Sequence, residues 1–461
     1  MRYLFPVKNR SHRAQGCAVN MNFDSSTKDT ANPVIYADWD PEVSAGNPGH
    51  NCPDIARYTV DWDCDDSSRL LQALLVRCLF PFADVICLFV DDFTTEAACA
   101  TLAEWNDIAN RKQMAPRLLV AASSASIEVA RTLQYISQFS SVSIVDLCDA
   151  DLLPRASPYR TLREVLSSEL AISRRARSEQ SHLFSATHTL SFFQSALAHF
   201  STGAAEPFSF IRASRDRLPI DPTIASHFKD FVNILCSKGF SLSEIAAEVA
   251  TRILFDSLPV GMHRMYHSPT VIPDADSPFP DFSPKNVFNI LYRGYCDEAC
   301  KDGPFPADEF CPLVAFWLEK LYSEMMDQNL SAAEAHLLNL RRRIDWKETK
   351  VSTFCPICAR SHPEHSQECG HGLCSDCVRA YSRPSITIEY HFNLDECPLC
   401  EHVSKLVVKQ LPPTAGYRAI SLDGGGIGGA YTLEALSMLE SNLGYPLQDE
   451  FDYTIGTSSG E

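Results

Sequence analysis

Residues 355–400 read CPICARSHPEHSQECGHGLCSDCVRAYSRPSITIEYHFNLDECPLC, and the rest of the chain is read outward from them. Eight side chains able to bind a metal, Cys355, Cys358, Cys369, His371, Cys374, Cys377, Cys397 and Cys400, follow the spacing C-x2-C-x10-C-x-H-x2-C-x2-C-x19-C-x2-C. Zn²⁺ has no ligand-field preference and takes four thiolate or imidazole ligands, and a C-x2-C turn aims both sulfurs at one ion. Four pairs of ligands make two tetrahedral sites, so two Zn²⁺ ions are the expected cofactors. Sites of this kind supply folding free energy directly.

The spacing resembles the RING-type zinc finger family at all eight positions. The resemblance implies an interleaved pairing: Cys355, Cys358, Cys374 and Cys377 on one ion, Cys369, His371, Cys397 and Cys400 on the other. It also implies a partner, a ubiquitin-conjugating enzyme, met through Ile357, Pro398 and Leu399. Glu401 stands where active members often carry a basic residue, and no tryptophan lies between Cys377 and Cys397. Ubiquitin ligase and non-catalytic zinc-stapled scaffold are therefore both carried as readings of this module.

Bulk properties bound the alternatives. A chain of 461 residues exceeds a single core and suggests about three domains. A net charge of -18 argues against nucleic acid as a partner, which would need clustered Lys and Arg. The 18 cysteines, mostly unpaired in spacing outside the zinc stretch, point to a reducing compartment and a cytoplasmic location. The most apolar run, Leu70 to Val90, is broken by Arg77, Pro81 and Asp84, so no transmembrane segment is expected.

The expected fold class is multidomain α/β. Residues 1–150 form an α/β unit after a loose arm over the first 30 residues. Val34–Ala37 ending at Asp38, Val85–Val90, Arg117–Ala121 and Val142–Val145 read as buried parallel strands, with helices over Thr94–Trp105 and Ser126–Phe139. The arrangement resembles the later part of a P-loop nucleotide hydrolase, with Asp38 at the place of a magnesium-associated carboxylate. Gly-x4-Gly-Lys-Ser/Thr is absent, so nucleotide chemistry is not expected.

Residues 151–349 read as helical. Capping boxes open helices at Ser241–Glu244 and Ser331–Glu334, and further helices are expected over Val287–Tyr295 and Pro312–Met326. Pro269–Pro284 reads as a linker, and Arg341–Arg343 as a solvated helix end. His263 and His267, like Cys296 and Cys300, have one-turn spacing but too few neighbours for a structural metal site.

After the zinc module (350–405), residues 411–461 begin another domain. Tyr417–Leu422 is a strand running into Asp423-Gly424-Gly425-Gly426-Ile427-Gly428-Gly429; a helix follows over Tyr431–Leu443; and a second strand, Phe451–Ile455, enters Gly456-Thr457-Ser458-Ser459-Gly460. Successive glycines at a strand end offer backbone N–H groups to an anion, and Gly-x-Ser-x-Gly after a strand is the nucleophile-elbow pattern. Over 417–461 the pair of motifs resembles the patatin-like phospholipase family. The resemblance implies Ser458 as nucleophile, an oxyanion loop at Gly424, Gly425, Gly426 and Gly429, an elbow flanked by Gly456 and Gly460, and a lipid or phospholipid substrate. Gly428 stands where the family loop carries arginine. The dyad aspartate of the family lies far beyond its serine, and nothing after Ser458 supplies one, so the chain reads as a fragment with a broken active site. The combined expectation is a zinc-binding serine acyl hydrolase of lipid metabolism.

Overall fold

The computed structural model describes residues 19–39, 60–61, 73–108, 116–147, 160–258, 282–411 and 415–457, less short gaps within these ranges. The chain is mixed α/β and forms two compact units. One holds residues 1–345 and 353–361, the other 346–352 and 362–461.

The first unit contains a three-stranded parallel sheet. Its strands β3 (Val85–Phe89), β4 (Arg117–Ala122) and β5 (Val142–Asp146) lie in the order β3-β4-β5. Central β4 is apolar after Arg117, as a strand covered on both faces must be, and Leu118 to Ala122 are at most 1% exposed. The helices α1 (Thr95–Ile108) and α2 (Ile127–Ile136) are the crossovers, and Leu102, Trp105, Ala130 and Leu133 join Leu118 and Val120 in one core. Asp91, just beyond β3, accepts from the Ser123 backbone N–H at 2.9 Å and from the Ser123 and Ser126 hydroxyls. These bonds tie the turn after β3 to the turn after β4.

Two expectations for this region change. Residues 19–23, read as part of the loose arm, form β1 (Val19–Phe23), which pairs antiparallel with β2 (Ile35–Trp39). Asp38 therefore sits inside a separate two-stranded antiparallel sheet, opposite Asn20, and not at the end of a parallel strand. The Asp24 carboxylate builds the link between the two strands, accepting from Ser26 N at 2.8 Å and from the Tyr36 hydroxyl at 3.3 Å.

The remainder of the first unit is helical. Its longer helices are α3 (Arg160–Glu179), α4 (Ala186–Ser201), α5 (Ile224–Ser237), α6 (Leu242–Ser257), α7 (Arg293–Cys300), α8 (Ala307–Asp327) and α9 (Ala332–Arg343). Ser241 and Ser331 make both halves of their capping boxes, with Glu244 and Glu334. The eighth helix starts five residues before Pro312: Pro306 caps it, and Asp308 and Glu309 complement the dipole in its first turn. Helix α6 is buried on every side over residues 245–254, with Ile245, Ala246, Ala247, Val249, Ala250 and Ile253 at 0% exposure. A helix of that pattern belongs inside the protein, and α8 and α9 pack on it. His263 and His267 and most of the 269–284 linker lie outside the described residues. Among the described residues no helix is long and apolar enough to cross a membrane.

The second unit starts with a small hairpin, β6 (His365–Ser366) and β7 (Gly372–Leu373), followed by α10 (Ser375–Tyr381). The strands β8 (Arg383–Pro384), β9 (His391–Glu396) and β10 (Val403–Lys409) then form an antiparallel sheet. Last come β11 (Ala419–Leu422), α11 (Gly429–Leu443) and β12 (Tyr453–Gly456), the two strands pairing in parallel.

Candidate metal centre and strand-end loops

Two of the three C-x2-C pairs, Cys355/Cys358 and Cys397/Cys400, have the same backbone construction. In the first, Ala359 takes φ +51° and its N–H donates to Cys355 O at 2.8 Å; in the second, Glu401 takes φ +60° and its N–H donates to Cys397 O at 2.9 Å. The left-handed residue after the second cysteine turns the chain so that the next N–H faces sulfur, and Arg360 N lies 3.4 Å from Cys358 Sγ. Sequence reasoning passed over this role, which falls on alanine and glutamate and not on glycine. At the third pair, Cys374 is the N-cap residue of α10 and Cys377 lies in its first turn.

The ligand atoms of Cys355, Cys358, Cys374 and Cys377 lie within 4.8 Å of one another, and so do those of Cys369, His371, Cys397 and Cys400. All eight side chains come together in two groups of four that could hold a metal ion. In the second group the spacing tests the fit. Zn–N of ~2.0 Å and Zn–S of ~2.3 Å at tetrahedral angles separate nitrogen from sulfur by about 3.5 Å. His371 Nδ1 lies 3.3 Å from Cys369 Sγ, 3.4 Å from Cys397 Sγ and 3.4 Å from Cys400 Sγ. With Nδ1 turned to the sulfurs, the ring proton belongs on Nε2, which donates to Thr349 O at 3.2 Å. Burial, then the charge of Lys350, holds the His371 ring below its ordinary pKa and so in the neutral, ligating form. Burial pushes the Cys397 thiol up to about 12; at Cys400 burial also pushes upward, but the His402 backbone N–H and the Cys369 and Cys397 side chains together hold it below its ordinary value.

The first knuckle is locked into the helical unit. Three helices of that unit each offer one buried side chain to a knuckle carbonyl. His227 of α5 meets Ala359 O at 3.2 Å, Arg252 of α6 donates to Pro356 O at 2.8 Å, and His336 of α9 donates to Ile357 O at 3.0 Å. Phe354 packs on His227 and on Phe231, with ring centroids 5.7 Å and 6.1 Å apart. Arg360 reaches Asp256 Oδ1 at 2.8 Å, and the other oxygen of that buried carboxylate accepts from Arg215 at 3.0 Å and from the Tyr292 hydroxyl at 2.6 Å.

This packing corrects the expected conjugating-enzyme contact. Ile357 is 0% exposed and Leu399 3% exposed, and Pro398 is buried as well, so none of the three presents an apolar surface. Arg343, expected to be solvated, turns inward to Glu248 Oε1 at 3.4 Å.

At the other candidate site, β11 and β12 are neighbours in register, with Leu422 opposite Gly456. Both glycine-bearing loops thus leave the same end of a parallel pair. Gly424 N donates to Thr457 Oγ1 at 3.1 Å, joining the first loop to the residue before Ser458. Gly426, at φ +56°, needs a glycine, and Gly426–Gly428 make a helical turn that runs into α11 at Gly429. Ser458 and Gly460 lie outside the described residues.

The chain thus combines two four-ligand metal groups with a strand, glycine loop, helix and strand unit. No protein-family profile matches it, and no solved structure does. It is 51% identical over 43 residues to the cUMP-AMP-activated phospholipase of Escherichia coli, a match that covers 9% of this chain and 13% of that protein. The chain therefore spans 13% of the length of the curated relative it matches.

Proposed function

We propose that this chain joins a zinc-stapled scaffold to the nucleophile end of a patatin-like serine acyl hydrolase acting on lipid esters. One observation carries the hydrolase reading: the two loops at one end of β11 and β12 are linked through Gly424 N and Thr457 Oγ1 at 3.1 Å. The 43-residue likeness to a phospholipase supports it. In this reading the backbone N–H groups around Gly424, Gly425, Gly426 and Gly429 stabilise the oxyanion, and Ser458, between Gly456 and Gly460, attacks the ester carbonyl. The serine needs a base to take its proton, and that base is an aspartate on another strand of a complete domain. The test is ester hydrolysis by the full-length protein on a nitrophenyl ester and on phospholipid vesicles. Loss of turnover in Ser458→Ala supports the reading; turnover equal to that of the unsubstituted protein refutes it.

The resident metal of both groups is proposed to be zinc, held by Cys355, Cys358, Cys374 and Cys377 and by Cys369, His371, Cys397 and Cys400. Its chemistry is structural, since four protein ligands leave no open position for substrate. Metal analysis of the purified chain is expected to give two zinc ions. Between ligase and scaffold, the burial of Ile357 and Leu399 favours scaffold. A ubiquitin-transfer assay with a panel of conjugating enzymes is expected to show no activity, and transfer that depends on the zinc module would overturn that choice.

A further inference from the structure

Arg252 is a charged residue buried in the first unit. Its side chain is 0% exposed, as is that of Glu248, its ion-pair partner at 3.0 Å. Protein groups hold both ends of its guanidinium: Nη1 donates to Glu248 O at 2.7 Å, Nη2 donates to Pro356 O at 2.8 Å, and the Phe231 ring centroid is 3.9 Å away. Burying charge in this way is costly unless opposite charge surrounds it. Glu248 alone would balance Arg252, but Arg343 also reaches Glu248, at 3.4 Å. Two guanidinium groups and one carboxylate leave an excess of one positive charge.

The missing negative charge lies in the knuckle itself, at Cys355 and Cys358. Pro356, whose carbonyl Arg252 binds, sits between Cys355 and Cys358. Burial pulls the Arg252 guanidinium below its ordinary pKa, and the charges of Glu248, Cys358 and Cys355 act in the opposite direction. Four thiolates around Zn²⁺ carry about two net negative charges. The second group, with three thiolates and a neutral histidine, carries about one, and its nearby cation is Lys350, 3.3 Å from His371 Nε2. Lys350 is exposed, so water and salt screen it; Arg252 is not screened.

We propose that Arg252 is the charge partner of the Cys355, Cys358, Cys374 and Cys377 metal group, offsetting the negative charge of tetrathiolate ligation and setting that group's affinity for zinc. The proposal rests on the zinc reading given above. Arg252 is a positioning residue: it touches the knuckle backbone and Glu248, and acts on the metal through its field.

The experiment is zinc release from the full chain to a chromogenic chelator. Cobalt substitution serves alongside, because the thiolate-to-cobalt absorption of a four-cysteine site differs from that of a three-cysteine, one-histidine site. Arg252→Gln is expected to loosen one of the two zinc ions by about 10–100-fold, the cost usual for a group supporting a metal ligand, and to leave the other as it was. Arg252→Lys keeps the charge and is expected to hold zinc within about threefold of the unsubstituted protein. Lys350→Gln leaves the four-cysteine site unchanged. Release of both ions from Arg252→Gln at the unsubstituted rate overturns the proposal. So does an Arg252→Lys protein that loses its four-cysteine zinc as readily as Arg252→Gln, since that outcome assigns the effect to hydrogen-bond geometry and not to charge. If Arg252→Gln is not recovered folded, Arg252→Lys decides: retention supports the proposal, and a loss of about tenfold or more overturns it. Two zinc ions in the unsubstituted chain keep the zinc reading intact whichever way the variants fall, whereas none would remove that reading and the proposal with it.

Discussion

Lowering the pH from 7.5 to 5 should cost the helical unit about 2 kcal/mol through one side chain, His336. The ring is 0% exposed and stacks on Phe255 with centroids 5.0 Å apart. Because the Ile357 carbonyl can only accept, Nε2 carries the ring proton, and Nδ1 accepts from the Thr251 hydroxyl at 3.1 Å. A second proton, on Nδ1, forfeits the bond donated by the Thr251 hydroxyl, and burial, then the charge of Arg252, pulls the ring's pKa from 6.5 to about 3. In the unfolded chain the ring titrates near its ordinary value. Above pH 6.5 both states hold it neutral and its contribution is complete. Between 6.5 and about 3 only the unfolded state takes up the proton, so stability falls as pH falls, by about 1.4 kcal/mol per pH unit. Urea unfolding followed by helical circular dichroism, with zinc in excess, measures the loss. The comparison is His336→Gln, which can still donate to Ile357 O but does not titrate. The unsubstituted protein should lose about 2 kcal/mol more than His336→Gln over this interval. Equal losses in the two proteins would show that His336 is protonated in the folded state, and the tautomer argument would fail.

Three substitutions test local features. A Cβ on Gly372 would meet Pro363 Cβ at 2.6 Å, so Gly372→Ala should destabilise the second unit by about 1–3 kcal/mol in chemical unfolding and loosen the adjacent His371 site. Glu401→Gly should raise the melting temperature of that unit, because a glycine at φ +60° removes a steric penalty of about 1 kcal/mol. Ser241→Ala removes one half of the capping box on α6 and should cost about 1 kcal/mol of helical stability, which urea denaturation reads directly.

Much of the metal centre was legible in the sequence because its determinants are local. Ligands two residues apart must share an ion, and eight of them at this spacing left little freedom. The three parallel strands were legible for a similar reason: short runs such as Leu118–Ala122, apolar throughout and separated by helix-length intervals, have few other structures open to them. Val34–Ala37 has the same composition, yet it pairs antiparallel with Val19–Phe23. Pairing depends on a partner strand and on the Asp24 turn, and neither shows in the run itself. The burial of Ile357 was not legible either, since His227, Arg252 and His336 come from three helices up to 132 residues away along the chain. Neither Ala359 nor Glu401 advertises a left-handed conformation, although both occupy the same place after a C-x2-C pair. At the strand-end loops the order of the motifs was legible, and the bond between Gly424 and Thr457 adds the register that brings them together.

The membership of residues 353–361 in the helical unit sets an order of events during synthesis. A ribosome that has released only the chain up to Arg343 has emitted α5, α6 and α9, yet His227, Arg252 and His336 still lack the carbonyls of Ala359, Pro356 and Ile357. Until those residues emerge, the nascent helices must leave two imidazoles and a guanidinium hydrated, and the unit stays open along that seam. The knuckle that closes it is read out last, like a keystone. A gene truncated at residue 345 would lack those carbonyls and leave the seam open.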